Sequence, residues 1–131
     1  MKVVEIPVDK LKSALGCVSW CIKLYDDGRY WTTDYAGLLE ILSEWLGSKR
    51  SYVADRFDCD DFSRLFKCFY IERYGINAVG LVRDYLMRHA YILFVTDELN
   101  VFVVEPQNGA IWTFDERPRG NYLCKFALIT F

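Results

Sequence analysis

The stretch Arg56-Phe57-Asp58-Cys59-Asp60-Asp61-Phe62 places a cysteine in the first turn of a predicted amphipathic helix. Cys59 lies one turn before Phe62 and therefore begins the apolar face of that helix. Asp58 is a natural N-cap, and the N-terminus of a helix favours the thiolate form of a nearby cysteine. The apolar face continues at three- and four-residue spacing through Phe62, Leu65, Phe66, Phe69 and Tyr70.

Length and composition bound the class of protein. The 131 residues suffice for one domain with its own core, and the hydrophobic content of 53% excludes a disordered chain. A formal net charge of −2 gives no support to a nucleic-acid partner. We therefore predict a single domain over residues 1–131.

Cysteine usage and apolar runs indicate the compartment. Residues 1–7 form too short an apolar run for a signal peptide, and no segment approaches the roughly 18 apolar residues of a membrane span. The five cysteines are expected to be reduced thiols. Cys17 and Cys21 have the spacing of half a metal site, but no second Cys/His pair follows. We expect a cytoplasmic protein without metal, organic cofactor or membrane partner.

The hydrophobic pattern predicts helices first and a sheet afterwards. One clear helix opens at Asp34 and ends at Gly47, and the cysteine-bearing helix ends at Gly75. Residues 17–25 fit a strand or a helix. This order is typical of an α+β fold in which an antiparallel meander follows the helices. The meander strands are predicted at residues 76–87, 89–96, 100–106, 110–114 and 122–131.

The only histidine of the chain, His89, opens one predicted strand, and Glu105 lies on the next. An ionisable residue on an apolar strand needs a partner if it is buried. A cysteine at a helix start, an imidazole on a strand and a carboxylate on the next strand are the parts of a thiol catalytic triad. Cys59 would attack, His89 would take its proton, and Glu105 would fix the imidazole tautomer.

The loop between these two strands decides whether His89 reaches Glu105. Side chains alternate faces along a strand, so a two- or four-residue loop puts the two side chains on opposite faces. A three- or five-residue loop centred on Glu98 pairs His89 with Gln107 and brings Glu105 to the same face. Asn100 tolerates the left-handed backbone that such a loop often needs. We therefore predict a contact between His89 and Glu105 at hydrogen-bond distance.

Three short motifs carry a family resemblance. Cys59-Asp60-Asp61-Phe62 resembles the helix start of the transglutaminase-like cysteine peptidase superfamily, and His89-Ala90-Tyr91 resembles its His-Ala-aromatic strand. Glu105-Pro106-Gln107 resembles its Asp-Pro-polar strand end, with Glu in place of the usual Asp. The resemblance covers about residues 54–107. It implies a papain-like or transglutaminase-like α+β fold, with N-terminal helices and a central Cys-bearing helix packed on an antiparallel β-sheet.

The same resemblance implies a thiol hydrolase or acyltransferase of the cysteine peptidase or amidase type. It would act on an amide or peptide bond through a Cys59 thioester, with a peptide, protein or cell-wall peptide as substrate and no cofactor. The backbone N–H of Cys59 would be one oxyanion donor. Tyr52, Trp45 and Gln107 are candidates for the second oxyanion donor or for substrate contacts.

Two other hypotheses remain open from the residues. The chain could be a catalytically inactive transglutaminase-like module that binds a peptide or glycan, which the Glu105 exchange and the lack of an identifiable oxyanion side chain favour. Alternatively, Cys59 is a core residue and His89 a satisfied strand residue. Four nearby anionic residues would raise the pKa of the thiol and weaken a nucleophile, an effect that Arg56 and Arg64 could offset: Asp55, Asp58, Asp60 and Asp61.

Overall fold

The structure is a computed structural model that describes residues 1–48, 51, 53–54 and 57–131. A single 3₁₀ turn, Leu15–Cys17, follows the first helix. No helix in the described ranges has the length and apolar character that crossing a membrane requires. The elements in chain order are β1 (Val4–Pro7), α1 (Val8–Ala14), β2 (Ile22–Leu24), β3 (Arg29–Thr32), α2 (Tyr35–Leu46), α3 (Cys59–Tyr74), β4 (Val79–Asp84), β5 (His89–Val95), β6 (Val101–Val104), β7 (Ile111–Thr113) and β8 (Ala127–Thr130).

The main sheet has the strand order β2-β8-β4-β5-β6-β7, and β1 pairs with β3 separately. Strands β4 to β7 form the expected meander. The predicted arrangement is wrong in two respects, because β8 returns to pair with β4 and β2 lies parallel to β8. The sheet therefore contains both parallel and antiparallel pairs. One of its edge strands, β2, lies within residues 17–25, for which the sequence did not decide between strand and helix. Strand neighbours depend on long-range burial, which a local hydrophobic pattern does not contain.

Local signals explain the two long helices. Asp34 caps α2, since its side chain accepts a hydrogen bond from the Gly37 N–H at 2.7 Å. At the start of α3, the Asp58 N–H donates to the Asp61 carboxylate at 3.4 Å. Gly75 ends α3 with a φ of 68°, a left-handed conformation that glycine adopts without steric cost. These ends fix Cys59 as the first residue of α3.

Both faces of the central strand β5 are buried. Ile92 and Phe94 face a cluster that includes residues of α2 and α3, whereas Tyr91, Leu93 and Val95 face a cluster that includes residues of α1, β1 and β3. The near-continuous apolar run of β5 follows from this double burial. The two layers place the start of α3 beside the start of β5.

Candidate functional site

The β5–β6 hairpin has the register that the sequence predicted. Ile92 pairs with Val104 and Val95 with Val101, so the loop is centred on Glu98. The left-handed residue of this loop is Leu99, with a φ of 64°, rather than Asn100. Leu99 packs against the core, which offsets a backbone cost of roughly 1–2 kcal/mol.

This register brings His89 and Glu105 together. The Nε2 atom of His89 lies 2.6 Å from Oε2 of Glu105. The carboxylate is 3% exposed and accepts two further hydrogen bonds, from the Tyr122 hydroxyl at 2.8 Å and the Gln107 backbone N–H at 3.1 Å. Each oxygen of a buried carboxylate thus has a donor, as burial requires. The contact is present as predicted, whereas its chemical role stays a prediction.

Cys59 lines the same cavity as His89. Burial raises the pKa of the Cys59 thiol, and the nearby carboxylates of Asp58, Asp60 and Glu105 raise it further. The Ala90 backbone N–H opposes this effect by favouring the thiolate. No hydrogen bond between the Cys59 thiol and His89 is present in the described part of the chain. Such a thiol stays protonated at neutral pH and becomes a nucleophile only if a base removes its proton.

Two of the three candidate oxyanion or substrate residues, Trp45 and Gln107, already use an N–H group in a hydrogen bond within the protein. Trp45 is 2% exposed, and its indole N–H donates to the Pro106 carbonyl oxygen at 2.8 Å. An indole has a single N–H, so Trp45 has no second hydrogen to offer a ligand. The backbone N–H of Gln107 is bonded to Glu105. Tyr52 lies outside the described residues.

A cleft of about 490 Å³ opens where α3 meets β4 and β5. The guanidinium of Arg64 pairs with Asp60 at 2.9 Å, and Asp84 is 1% exposed and already bonded to neighbours. Arg83 and Arg88 have no ion-pair partner among the residues that the structure describes. The cleft therefore presents two guanidinium groups without an ion-pair partner, beside the buried carboxylate of Asp84, whose hydrogen-bond donors are uncharged. Its lining consists of Cys59, Asp60 and Arg64 from α3, residues 83–85 from the end of β4, and residues 88–90 from the turn and β5.

An apolar pocket of about 270 Å³ adjoins this cleft. Tyr85 lines both cavities, and its side chain is 60% exposed. The exposed rings of Trp20 and Phe126 form further parts of the pocket wall. A charged cleft beside exposed aromatic rings suits a ligand with polar and apolar faces.

The carboxylates of Asp58, Asp60 and Asp61 form the one cluster in the described ranges whose spacing could hold a metal ion. Their ligand oxygens lie within 4.8 Å of one another. Arg64 already contacts Asp60 and Asp61, at 2.9 and 3.4 Å. Hard cations prefer such oxygen ligands, but the guanidinium already balances part of this charge.

Several residues of the site belong to none of the motifs that the sequence contains. Tyr122 lies 17 positions after Glu105, and no short motif connects them. Trp20 and Phe126 are isolated aromatic residues in irregular segments, where no periodicity identifies a shared surface. The arginines did have a signal, because Arg83 lies just before the turn that precedes His89 and Arg88 is the last residue of that turn.

We expect alkylating reagents to label Cys59 slowly in the folded protein. At neutral pH, iodoacetamide should modify the exposed Cys68 before the half-buried Cys59, because a raised pKa leaves little Cys59 thiolate. The Cys59 rate should keep rising above the pH at which an ordinary thiol is fully ionised. A mass-spectrometric time course measures both rates, with urea-unfolded protein as the control. Faster labelling of Cys59 than of Cys68 would identify an activated thiolate and contradict this expectation.

Comparison with known proteins gives a fold likeness. No family model and no curated protein matches the chain. The structure of PSL1a in its complex with E64 matches with a TM-score of 0.74 and 22% identity, over 97% of this chain and 51% of that chain. A Polyporus squamosus lectin bound to the human-type influenza-binding epitope Neu5Acα2-6Galβ1-4GlcNAc matches with a TM-score of 0.70 and 23% identity, over 97% and 49%. The chain spans about half the length of these proteins.

These findings correct the predicted family. The resemblance to the transglutaminase-like or papain-like cysteine peptidases rests on three short motifs in residues 54–107, whereas the structural match covers 97% of the chain and is with a lectin. The predicted papain-like or transglutaminase-like fold class is therefore wrong as well. The thiol hydrolase or acyltransferase function, including a thiol protease with a catalytic triad, loses its basis because it followed from that resemblance. The chain is similar in fold to about half of a Polyporus squamosus lectin.

Proposed function

We propose that this chain binds a glycan that carries an acidic sugar, in the cleft between the start of α3 and the start of β5. The observation that carries the proposal is the pair of guanidinium groups, Arg83 and Arg88, that line the cleft without an acidic partner among the described residues. A guanidinium donates two parallel hydrogen bonds to a carboxylate. A hydrogen bond to a charged group contributes about 1.5–3 kcal/mol.

His89 would supply a polar contact of fixed direction. Its Nε2 atom is bonded to Glu105, and the aromatic ring of Tyr122 packs edge-on against the imidazole at 5.3 Å. The remaining ring nitrogen, Nδ1, is then held ready for a sugar hydroxyl. In this proposal Cys59, His89 and Glu105 are site residues, of which His89 contacts the ligand and Glu105 positions His89.

The adjoining apolar pocket would hold the less polar face of a second sugar. The rings of Trp20, Tyr85 and Phe126 are 74%, 60% and 65% exposed, which leaves their faces available for stacking. Aromatic rings supply large contact areas with little loss of rotamer freedom. Tyr85 connects the two cavities and would lie between the two sugar units.

One of the two similar structures motivates the choice of an acidic glycan as the ligand. One of the similar structures is a lectin bound to Neu5Acα2-6Galβ1-4GlcNAc, whose first sugar carries a carboxylate. This chain spans 49% of that lectin chain, so glycan binding by the shared half needs its own experiment.

Isothermal titration with two oligosaccharides tests the proposal. We expect Neu5Acα2-6Galβ1-4GlcNAc to bind at least about tenfold more tightly than Galβ1-4GlcNAc, because tenfold corresponds to about 1.4 kcal/mol, the scale of one charged hydrogen bond. Arg83→Ala and Arg88→Ala should each remove about tenfold of the affinity for the acidic glycan. Arg29→Ala is the matched control, since Arg29 pairs with Glu5 on the separate two-stranded sheet.

Three outcomes would contradict the proposal. Wild-type protein could bind neither oligosaccharide, both oligosaccharides could bind equally, or Arg29→Ala could lose as much affinity as the cleft variants. Cys59→Ala should retain binding, because the proposal gives the thiol no chemical step. Cleavage of a bound peptide or glycan by the wild type but not by Cys59→Ala would contradict a role limited to binding.

A further inference from the structure

Two cysteines meet at the opposite end of β8 from the chain terminus. Cys21 immediately precedes β2 and Cys124 lies shortly before β8, and these strands run parallel in adjacent positions. The Cys21 thiol donates a hydrogen bond to the Cys124 carbonyl oxygen at 3.0 Å. A backbone hydrogen bond from the Phe126 N–H to the Trp20 carbonyl oxygen, at 2.8 Å, joins the same two segments. Residues 103 positions apart in sequence are thus held side by side.

The backbone around this pair is strained. Trp20, Cys124 and Phe126 have φ values of 62°, 55° and 54°, in the left-handed region that non-glycine residues rarely occupy. Such residues persist where surrounding contacts fix them, and they concentrate at functional positions. Here the backbone hydrogen bond from Phe126 to Trp20 and the bond from the Cys21 thiol to the Cys124 carbonyl oxygen hold the two segments together.

The two thiols differ in access and acidity. Cys21 is half-buried, whereas Cys124 is 1% exposed. A hydrogen bond from Cys124 lowers the pKa of Cys21, and the charge of Lys23 acts in the same direction, against burial and the charge of Asp84. The interaction with Cys21 and burial raise the pKa of Cys124. An accessible, acidic thiol beside a buried second thiol is the arrangement of a redox-sensitive pair.

We propose that Cys21 and Cys124 form an oxidation site that closes a reversible intramolecular disulfide when the protein meets a hydroperoxide. The Cys21 thiolate attacks the peroxide, the O–O bond breaks, and Cys21 becomes a sulfenic acid with release of water or an alcohol. The Cys124 sulfur then attacks the Cys21 sulfur, the S–O bond breaks, and water leaves. The two thiols together lose two electrons and two protons, which the peroxide takes up.

Closure of this bond has two structural consequences. It joins the edge strand β2 to the segment before β8 and closes a loop of about 100 residues, which restricts the unfolded chain. The melting temperature should rise by roughly 10 °C. The disulfide would also be connected to the cleft. The Cys124 backbone N–H donates a hydrogen bond to Asp84, a cleft residue, at 2.9 Å. The reduced cysteines that the sequence predicts would then be one of two states of this pair, the dithiol and the disulfide.

Non-reducing peptide mapping of the full chain tests the proposal. After brief treatment with hydrogen peroxide and alkylation of the remaining thiols, we expect a cross-linked peptide pair that contains Cys21 and Cys124. Cys17, Cys59 and Cys68 should stay alkylatable, and dithiothreitol should restore all five thiols. Cys21→Ser should abolish both the cross-link and the rise in melting temperature. Cys68→Ser, a change of an exposed cysteine on α3, should retain both.

Other results would overturn the proposal. Five alkylatable thiols after peroxide treatment, a cross-link to a different cysteine, or oxidation of Cys21 that stops at the sulfinic acid would each do so. If Cys124→Ala fails to fold, the wild-type peptide map and its thermal shift decide alone. Glycan binding is no part of this readout, so the disulfide and the proposed function succeed or fail independently.

Discussion

Replacing Phe66 by alanine is expected to lower the free energy of unfolding by about 3–5 kcal/mol. The Phe66 ring is completely buried between α3 and the sheet. It lies 5.3 Å from the Trp45 ring and 4.6 Å from the Tyr70 ring, centroid to centroid. The substitution removes these contacts and leaves a cavity that rigid neighbours cannot fill.

Urea denaturation followed by circular dichroism measures this loss. Leu65→Ala is the matched control, because Leu65 is the preceding residue on α3 and is 41% exposed. Its cost should stay below about 1 kcal/mol, since little apolar surface is lost. Equal losses for the two variants would mean that α3 does not pack as described. A single cooperative transition would also fit the prediction that residues 1–131 form one domain.

The amphipathic pattern of α3 predicted its structure well at most positions. Phe62, Phe66 and Tyr70 are buried as their spacing indicates, and Gly75 ends the helix. Leu65 is an exception, because its spacing predicts burial on the apolar face, whereas the residue is 41% exposed. A helix period identifies a face of limited width, and the neighbouring elements decide which residues at its margin are covered.

The sequence does not predict which strands lie beside each other in the sheet. The pairing of β8 with β4 and β2 depends on contacts between distant segments, such as Ile22 with Leu128. The Cys21–Cys124 pair and the hydrogen bond from Tyr122 to Glu105 also join residues that are distant in sequence, so no local pattern predicts them. Alternation within one strand determines a face but contains no information about which strand lies beside it.

The β5–β6 hairpin was predictable because its two strands follow each other in sequence and are joined by a short loop. Parity and loop length alone brought His89 and Glu105 to one face, and the observed distance of 2.6 Å agrees. The family resemblance did not transfer in the same way. Three short motifs describe one helix start and two strand ends, and such local features are compatible with more than one topology. The cleft that surrounds them is defined by Arg83, Arg88 and Tyr85, which none of the motifs includes.

Replacing Glu105 by leucine is expected to destabilise the protein by about 3–5 kcal/mol, because it breaks a buried polar pair. Leucine accepts no hydrogen bond, so His89, Tyr122 and the Gln107 N–H lose their shared acceptor. Each buried donor left without a partner costs about 1–3 kcal/mol. Glu105→Gln should cost less, since its amide oxygen still accepts a hydrogen bond. Urea denaturation of both variants gives the comparison.

A double-mutant cycle with Tyr122→Phe separates the lost hydrogen bonds from the lost packing. In the wild type, removing the Tyr122 hydroxyl should cost about 1 kcal/mol, because its bond to Glu105 is buried. In Glu105→Leu the hydroxyl has lost that acceptor, so the same change should cost nothing or stabilise the protein. Strictly additive losses would mean that the Tyr122 hydroxyl and the Glu105 carboxylate are not coupled. In that case the hydroxyl of Tyr122 would not help to hold the carboxylate that positions His89.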